Sequence, residues 1–507
     1  VILDLADAGA RDLPTDFEAD LCIIGAGAAG LTIATALESR ARSRGLRILV
    51  IESGGFEHDP DTQFLAQGFI AKQPLELAGT RLRRFGGSTQ HWNGVCRPLR
   101  PVDLRARAWI ANSGWPLEWD ELEAHYPRAC EILGLGAYDF APENNPHEHG
   151  PALELPEDSP IRAVVYRMSP PVRLGDDLRA RVGASTSITV LVNANVTELV
   201  PGERGEAAPA GSDATGDAGA RPMRLVRVAS LPREGAPSRG ATVRAGRFVL
   251  ACGGIENPRL MLLSRSVEPM GVGNANDLVG RYFHEHPHMD RAGKAVCFGT
   301  WWRAYATRDT SKPVALRHAL CVSVHGQRSG GVSGIAFMLT LDPRLEPPAR
   351  GPVELDVMTM AEQEPRRDSR VTLAEDMPPD ALGQPRVRLA WPVGARDLET
   401  IRAGLRLLAG ELGSRGLALL REGAALAADR FPHHEDVYPG GHHMGTTRMS
   451  ADPALGVVDA TCRVHGYSNL YVAGGSVFPT GGFSNPTLTI VALALRLAAH
   501  LGERMGR

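Results

Sequence analysis

The chain has 507 residues and a formal net charge of −3, long enough for more than one domain, or for one domain with large insertions, around a sizeable core. Its near-balance of charge gives no electrostatic case for nucleic acid or for an anionic membrane. Arg496 interrupts the longest apolar run near the C-terminus, so no bilayer span and no membrane insertion are expected.

The N-terminal VILDLADAGARDLP lacks a basic segment followed by an apolar core, so no signal peptide is expected. The missing initiator Met leaves a removed segment open. Cys22, Cys96, Cys130, Cys252, Cys297, Cys321 and Cys462 are scattered, with no CxxC or CxxCH. That argues against a disulfide framework, a zinc site or attached haem, and makes a reducing cytoplasm the default expectation.

In chain order, the first legible element is an apolar strand, Ala19 to Ile24, followed at once by Gly25, Gly27 and Gly30 in GxGxxG spacing and by a helix-like LTIATALESRAR. Glycines there let a backbone approach a pyrophosphate, and the helix presents unpaired N–H groups and its positive dipole end to that charge. A second strand, Arg47 to Ile51, ends in Glu52, placed to hydrogen-bond an adenosine ribose. A lone GxGxxG is weak; strand, loop, helix, strand and acid together predict an α/β dinucleotide-binding domain of Rossmann type.

Beyond it, Trp115 to Gly136 predicts one amphipathic helix with its entry turn, and Ser187 to Val200 and Arg247 to Gly254 predict strands. Gly202 to Gly219, rich in Gly, Ala and acids, predicts a surface loop without catalytic content. Alternating stretches between Arg281 and Pro439, such as HALCVSVHG, GIAFMLTL and PVELDVMTM, predict a separate sheet. Leu398 to Leu420 predicts a long helix packed on it. Asn485 and Pro486 precede the apolar TLTIVALALRLAAHL, an ordinary helix start with Asn485 as N-cap and Pro486 at the first helical position.

GGSTQHWNG (Gly86 to Gly94), CGGIENPRLMLLS (Cys252 to Ser264), LVGRYFHEHP (Leu278 to Pro287), EQEPRRDSRVTL (Glu362 to Leu373), GHHMGTTRM (Gly441 to Met449) and GGFSNPTLT (Gly481 to Thr489) occur in one order from about residue 18 to the end. Together they resemble the glucose-methanol-choline (GMC) oxidoreductases, and most closely a bacterial branch with pyranose 2-oxidase-like, fructose dehydrogenase-like and glycoside 3-oxidizing enzymes. The resemblance implies FAD, a substrate domain built on an antiparallel sheet packed with helices (a p-hydroxybenzoate hydroxylase-like two-domain fold), and oxidation of CH–OH to a carbonyl. It divides the chain into FAD-binding segments 1–102, 186–280 and 441–507 and substrate segments 103–185 and 281–440.

Carried over residue by residue, the flavin contacts fall on Gly25, Gly27, Ala28, Ala29, Gly30, Glu52, Ser53, Arg84, Gly86, Gly87, Ser88, His91, Trp92, Asn93, Gly94, Val196, Cys252, Gly253, Gly474, Gly475, Asn485, Pro486 and Thr487. His91 sits at the offset where pyranose 2-oxidase-like enzymes attach FAD covalently, whereas related dehydrogenases with a TxHW segment hold it noncovalently. Asn93 and Gly94 match the family's pair near flavin N5. As hydride leaves the carbinol carbon, the hydroxyl proton needs a base titrating near neutrality. The family's HxxGT pattern puts that base on His442, with His443 as the rival by composition, and gives Asn485 a carboxamide contact to the alcohol oxygen.

His284, His286 and His288 alternate as strand neighbours on one face, yet no Cys completes a ligand set and no metal is expected. His433 and His434 read as pocket lining or as a solvated loop, and Trp301 and Trp302 as a sugar-stacking platform or as core. The expected reaction is oxidation of a hydroxyl on a sugar, a glycoside or a glycosylated small molecule, with oxygen, a quinone or a protein as electron acceptor. Oxidation of a non-sugar alcohol, a lyase of hydroxynitrile type with structural FAD, and a silent binding subunit are the competing readings.

Overall fold

The computed structural model describes residues 1–7, 13–70, 77–170, 172–206, 219–233, 237–342, 344, 351–427 and 436–505. Among them are two eight-stranded sheets and one of three strands. In the first sheet the spatial order is Ile2–Asp4, Ile188–Val192, Ile48–Ile51, Asp16–Ile24, Gly240–Leu250, Met223–Ala229 and Asn195–Pro201, with Leu470–Val472 also against Gly240–Leu250. The central strands are parallel and in register, so that Ile24, Ile51 and Leu250 end at one level. Their carboxyl-terminal ends, Leu21 to Ile24, Ile48 to Ile51 and Phe248 to Leu250, are apolar and buried, as a helix-covered parallel sheet requires. The loops after those three strands therefore converge at the carboxyl edge, where doubly wound sheets bind ligands.

The second sheet is antiparallel throughout its named pairings: Ala418–Glu422, Pro287–Cys297, Val353–Ala361, Ile335–Thr340, Ala315–Val322, Ile161–Met168 and Val95–Cys96, with Tyr438–Pro439 also on Pro287–Cys297. The helix Ala395–Ser414 buries Leu398, Ile401, Leu405, Leu408 and Leu412. Their three- and four-residue spacing makes one apolar face, packed in the same core as Ile335, Phe337 and Val357. Arg370–Ala374, Arg386–Ala390 and Gly68–Ile70 form the small third sheet.

Three expected elements differ. Trp115 to Gly136 is two short helices, Trp119–Glu123 and Tyr126–Ile132; Pro127, lacking an N–H, is accommodated only by starting a new helix there. The helix predicted to reach Leu420 stops at Ser414, because Gly416 takes φ +65° and turns the chain back as the strand Ala418–Glu422. Ser187 to Val200 is two strands, Ile188–Val192 and Asn195–Pro201, separated at Asn193 with φ +53°. Most of the predicted loop Gly202 to Gly219 lies outside the described residues.

Candidate active site

The strand Asp16–Ile24 delivers Gly25 at φ +106°, where a Cβ would lie 2.6 Å from the Ala251 carbonyl oxygen. Only glycine lets these two strand ends approach so closely. The helix Ala28–Arg44 follows, with Gly27 as an N-cap that offers no side-chain hydrogen bond. Gly30 packs against the Gly25 carbonyl, leaving no room for a Cβ. Gly27, by contrast, faces open space on the wall of a cavity of about 560 Å³. Uncapped backbone N–H groups beside a space that a single methyl would enter are what a pyrophosphate needs, so the donor set fits a dinucleotide.

Glu52 is buried; its Oε2 accepts the Ala26 N–H at 2.8 Å and its Oε1 the Gly54 N–H at 3.2 Å. The carboxylate thus ties the second strand end to the glycine loop. Burial pushes Glu52 up to about 6, against the backbone donors and Arg83.

Gly25, Gly27, Ala28, Ala29, Glu52, Ser53, Gly87, Ser88, His91, Trp92, Asn93, Gly94, Val196, Cys252, Gly253, Gly474, Gly475, Asn485, Pro486 and Thr487 all line the same cavity, with His442 and His443. Gly30 and Gly86 stand behind its wall, Gly86 donating its N–H to the Ala26 carbonyl. Arg84 is directed at Asp176, 3.8 Å away. Its neighbour Arg83 is on the wall instead, bonded to Ser53 Oγ at 2.9 Å and Glu256 at 2.6 Å. Arg81, Arg83 and Arg259 surround Glu256; burial alone would raise that carboxyl, but the arginines outweigh it and hold it near about 2. Sequence spacing carries no sign of this cluster, whose members come from separate segments.

The C-terminal segments meet at the other end of the cavity. Gly441 to Thr447 runs between His284, which exchanges backbone hydrogen bonds with Met444, and the Gly475–Ser476 turn. Neighbouring residues of an extended chain face opposite ways. His443 turns its Nε2 toward Glu285 Oε1 at 3.5 Å, while His442 directs its ring at Asn485 and His286. His442 Nε2 lies 3.1 Å from Asn485 Nδ2, and His442 Nδ1 lies 2.8 Å from His286 Nδ1.

Asn485 is not an N-cap: the helix Thr487–Arg504 begins after Pro486 and has no side-chain cap. The carboxamide is spent on His442 instead, and its buried Oδ1 has no partner among the described residues.

Burial, followed by His286, His288 and His443, holds His442 well below the ordinary imidazole range. Burial likewise lowers His284, His286 and His288 to about 4 and His443 to about 3. All five are therefore neutral at pH 7. Glu285, pushed up to about 8 by burial, accepts the backbone N–H groups of His442 and His286. Sequence reading passed over Glu285 and gave His286 no part in the site.

Among the described residues no group of three His, Cys, Asp or Glu side chains could hold a metal ion. Trp301 and Trp302 are away from the cavity: their indole N–H groups bond the Leu417 and Gly299 carbonyls within the second core. His433 and His434 lie outside the described residues. Among those residues, all seven cysteines are free and no helix is long and apolar enough to cross a membrane.

Residues 365–494 match the family model described as GMC oxidoreductase. The chain is 28% identical to 6'''-hydroxyparomomycin C oxidase of Streptomyces lividus, over 95% of this chain and 92% of that protein. It is 29% identical to paromamine 6'-oxidase of Streptomyces fradiae, over 96% and 92%. With the fructose dehydrogenase large subunit of Gluconobacter japonicus it shares 25% identity over 87% of this chain and 84% of that one. The fold is that of formate oxidase, with a TM-score of 0.61 at 16% identity over 96% of this chain and 99% of the other. A glycine loop that fits a dinucleotide, a neutral histidine beside a carboxamide at the far end of one cavity, and these likenesses agree: the C-terminal quarter of the chain matches the GMC oxidoreductases, nearly its whole length is similar to oxidases and dehydrogenases, and the protein is an FAD-dependent oxidoreductase acting on alcohol groups.

Proposed function

We propose that the protein oxidizes a CH–OH group of a sugar, a glycoside or a glycosylated small molecule to a carbonyl, with His442 as the base and Asn485 as its partner on the alcohol oxygen. The observation that carries this reading is the neutral His442 imidazole held 3.1 Å from Asn485 on the wall of the cavity that begins at the glycine loop. FAD, when bound, supplies the hydride acceptor at its N5. The alcohol O–H takes the place of the Asn485 N–H at the single lone pair of His442 Nε2 and passes its proton there, and the released carboxamide N–H donates to the oxygen as negative charge develops.

The substrate class is supported by relatives named for oxidizing aminoglycosides and dehydrogenating fructose. The same names, oxidases and dehydrogenases, speak against the lyase reading. In this proposal the cofactor unit comprises 1–102, 186–280 and 441–507, and the substrate unit 103–185 and 281–440.

Anaerobic titration of the purified, FAD-loaded protein with aminoglycosides, simple sugars, glycosides and small alcohols tests the reading. Bleaching of the flavin by a sugar-type compound is expected, and bleaching only by small alcohols, or by nothing, overturns the substrate assignment. Admission of air then separates acceptors, since rapid recolouring identifies an oxidase.

A further inference from the structure

We propose that His286 is a positioning residue, one that fixes the tautomer of His442 so that its bare Nε2, and not an N–H, faces the alcohol. This inference rests on the proposed role of His442. The Gly482 carbonyl, which can only accept, lies 2.9 Å from His286 Nε2. His286 Nε2 therefore carries a proton. In a neutral ring the other nitrogen is then bare, so the 2.8 Å contact between the two Nδ1 atoms requires His442 Nδ1 to donate.

A neutral His442 with its proton on Nδ1 has its lone pair on Nε2, and the 3.1 Å approach of the Asn485 amide supplies a donor to that lone pair. Each bond in the chain from Asn485 through His442 and His286 to Gly482 has one donor and one acceptor. Reversing the His442 tautomer would set two bare Nδ1 atoms against each other.

The surroundings hold this pair in place. A Cβ on Gly440 would lie 2.7 Å from His442 Nδ1, and one on Gly481 would lie 3.2 Å from His286 Nε2, so glycine backbone closes over both rings. The carrier of the accepting carbonyl, Gly482, donates its own N–H to Glu362 Oε1 at 3.3 Å. That carboxylate is fixed by Arg107 at 2.7 Å. When the alcohol O–H bond breaks and its proton forms a new N–H bond at His442 Nε2, the resulting cation keeps its Nδ1–H on His286, so the buried charge retains a hydrogen-bond acceptor.

The groups facing His286 are His442 across the contact, His284 and His288 from its own segment, and Glu362 beyond Gly482. Imidazole in water has no comparable constraint, and a wrong tautomer at a base removes most of its use.

The test uses the FAD-loaded protein labelled with ¹⁵N-histidine, with the His442 signals assigned by their loss in His442→Gln. Wild type is expected to show the neutral Nδ1–H tautomer at His442. His286→Leu should give the Nε2–H form and slow flavin reduction at saturating substrate by roughly 10²-fold or more, with KM little changed. His286→Asn, whose Oδ1 replaces the Nδ1 acceptor, should recover most of that loss.

An Nε2–H tautomer in wild type overturns the proposal, as does full-speed reduction by a folded, FAD-loaded His286→Leu. If His286→Leu does not fold, the wild-type tautomer and the Asn variant still decide. Normal reduction by His442→Ala would instead remove the base assignment, an outcome the tautomer measurement does not share.

Discussion

Replacing Gly27 and Gly30 separately by alanine should split the roles of the glycine loop. At Gly27 the backbone has φ −83° and a Cβ would meet nothing within 4 Å. The free protein should therefore tolerate Gly27→Ala: reduced freedom in the unfolded chain favours folding by about 0.4–1 kcal/mol, and loss of the glycine N-cap opposes it by a similar amount. The methyl, however, enters the space assigned to the pyrophosphate. An overpacking cost of about 1–3 kcal/mol corresponds to a Kd for FAD raised roughly 5- to 150-fold.

At Gly30 the same methyl would lie 1.9 Å from the Gly25 carbonyl oxygen, and the helix would have to move away by about 1.6 Å to reach ordinary contact near 3.5 Å. Gly30→Ala should therefore destabilize even the flavin-free protein by about 1–3 kcal/mol and weaken FAD as well. Urea unfolding of flavin-free protein and fluorescence titration with FAD measure both quantities. A Gly27→Ala variant that binds FAD as tightly as wild type refutes the placement of the pyrophosphate beside Gly27.

His442→Ala should slow reduction of the bound flavin roughly 10²- to 10⁴-fold with FAD content retained, and His443→Ala should be milder; stopped-flow reduction showing the reverse order would transfer the base role to His443. Asn485→Asp should also slow reduction, because it sets a carboxylate where negative charge develops on the alcohol oxygen, and rates at saturating substrate across pH check it. His91 is on the cavity wall and is held below the ordinary imidazole range by burial and by Arg173, so it is neutral and nucleophilic at pH 7. If it carries FAD covalently, acid precipitation leaves the yellow colour in the pellet and His91→Ala releases it; colour wholly in the wild-type supernatant rejects the link.

Stability should also fall on acidification. His284, His286 and His288 titrate at about 4 when folded against an ordinary 6.5, so their contribution is complete above pH 6.5 and is lost as the pH drops through about 4. Glu52 and Glu285, raised to about 6 and about 8, oppose this between pH 5 and pH 7 but are outnumbered by the lowered histidines, so urea midpoints equal at the two pH values would contradict the net effect.

Much of the candidate site was legible because its motifs are local. The strand, the three glycines and Glu52 occur within 34 residues of one another, and each constrains the next through backbone geometry. The HxxGT spacing likewise places His442 and His443 on opposite sides of one extended segment. Elements failed where one short signal had to outweigh a longer pattern. Helical spacing of apolar residues continues across Gly416, but its αL conformation turns the chain into the strand Ala418–Glu422. The Asn-Pro pair at 485–486 reads as a cap by local rules, yet the carboxamide has a distant competitor in His442, 43 residues away. His286 and His442 are 156 residues apart, and Arg83 and Glu256 are 173 apart; no periodicity encodes such pairings, which exist only once both sheets are assembled.

The buried histidine cluster illustrates why assembly matters to the chemistry. A base that titrates well below pH 7 in the resting site is a weak proton acceptor, since efficiency is greatest when its pKa is near the working pH. Burial lowers His442, and so do neighbouring imidazoles that would carry like charge. The same burial raises Glu285 to about 8 while the backbone N–H groups of His442 and His286 hold its carboxyl between them. The two shifts have one cause: desolvation disfavours every charge in this region, whichever its sign.

A proton delivered to His442 in isolation would therefore be costly. It becomes accessible only with compensation from the reacting alcohol, whose oxygen loses the proton, and from an acceptor on Nδ1. His286 supplies that acceptor without adding a permanent negative charge, whereas a carboxylate there would hold His442 protonated before substrate arrived and leave it with no lone pair to use. A neutral imidazole behind a neutral imidazole keeps the proposed base empty until the hydroxyl proton is ready to move.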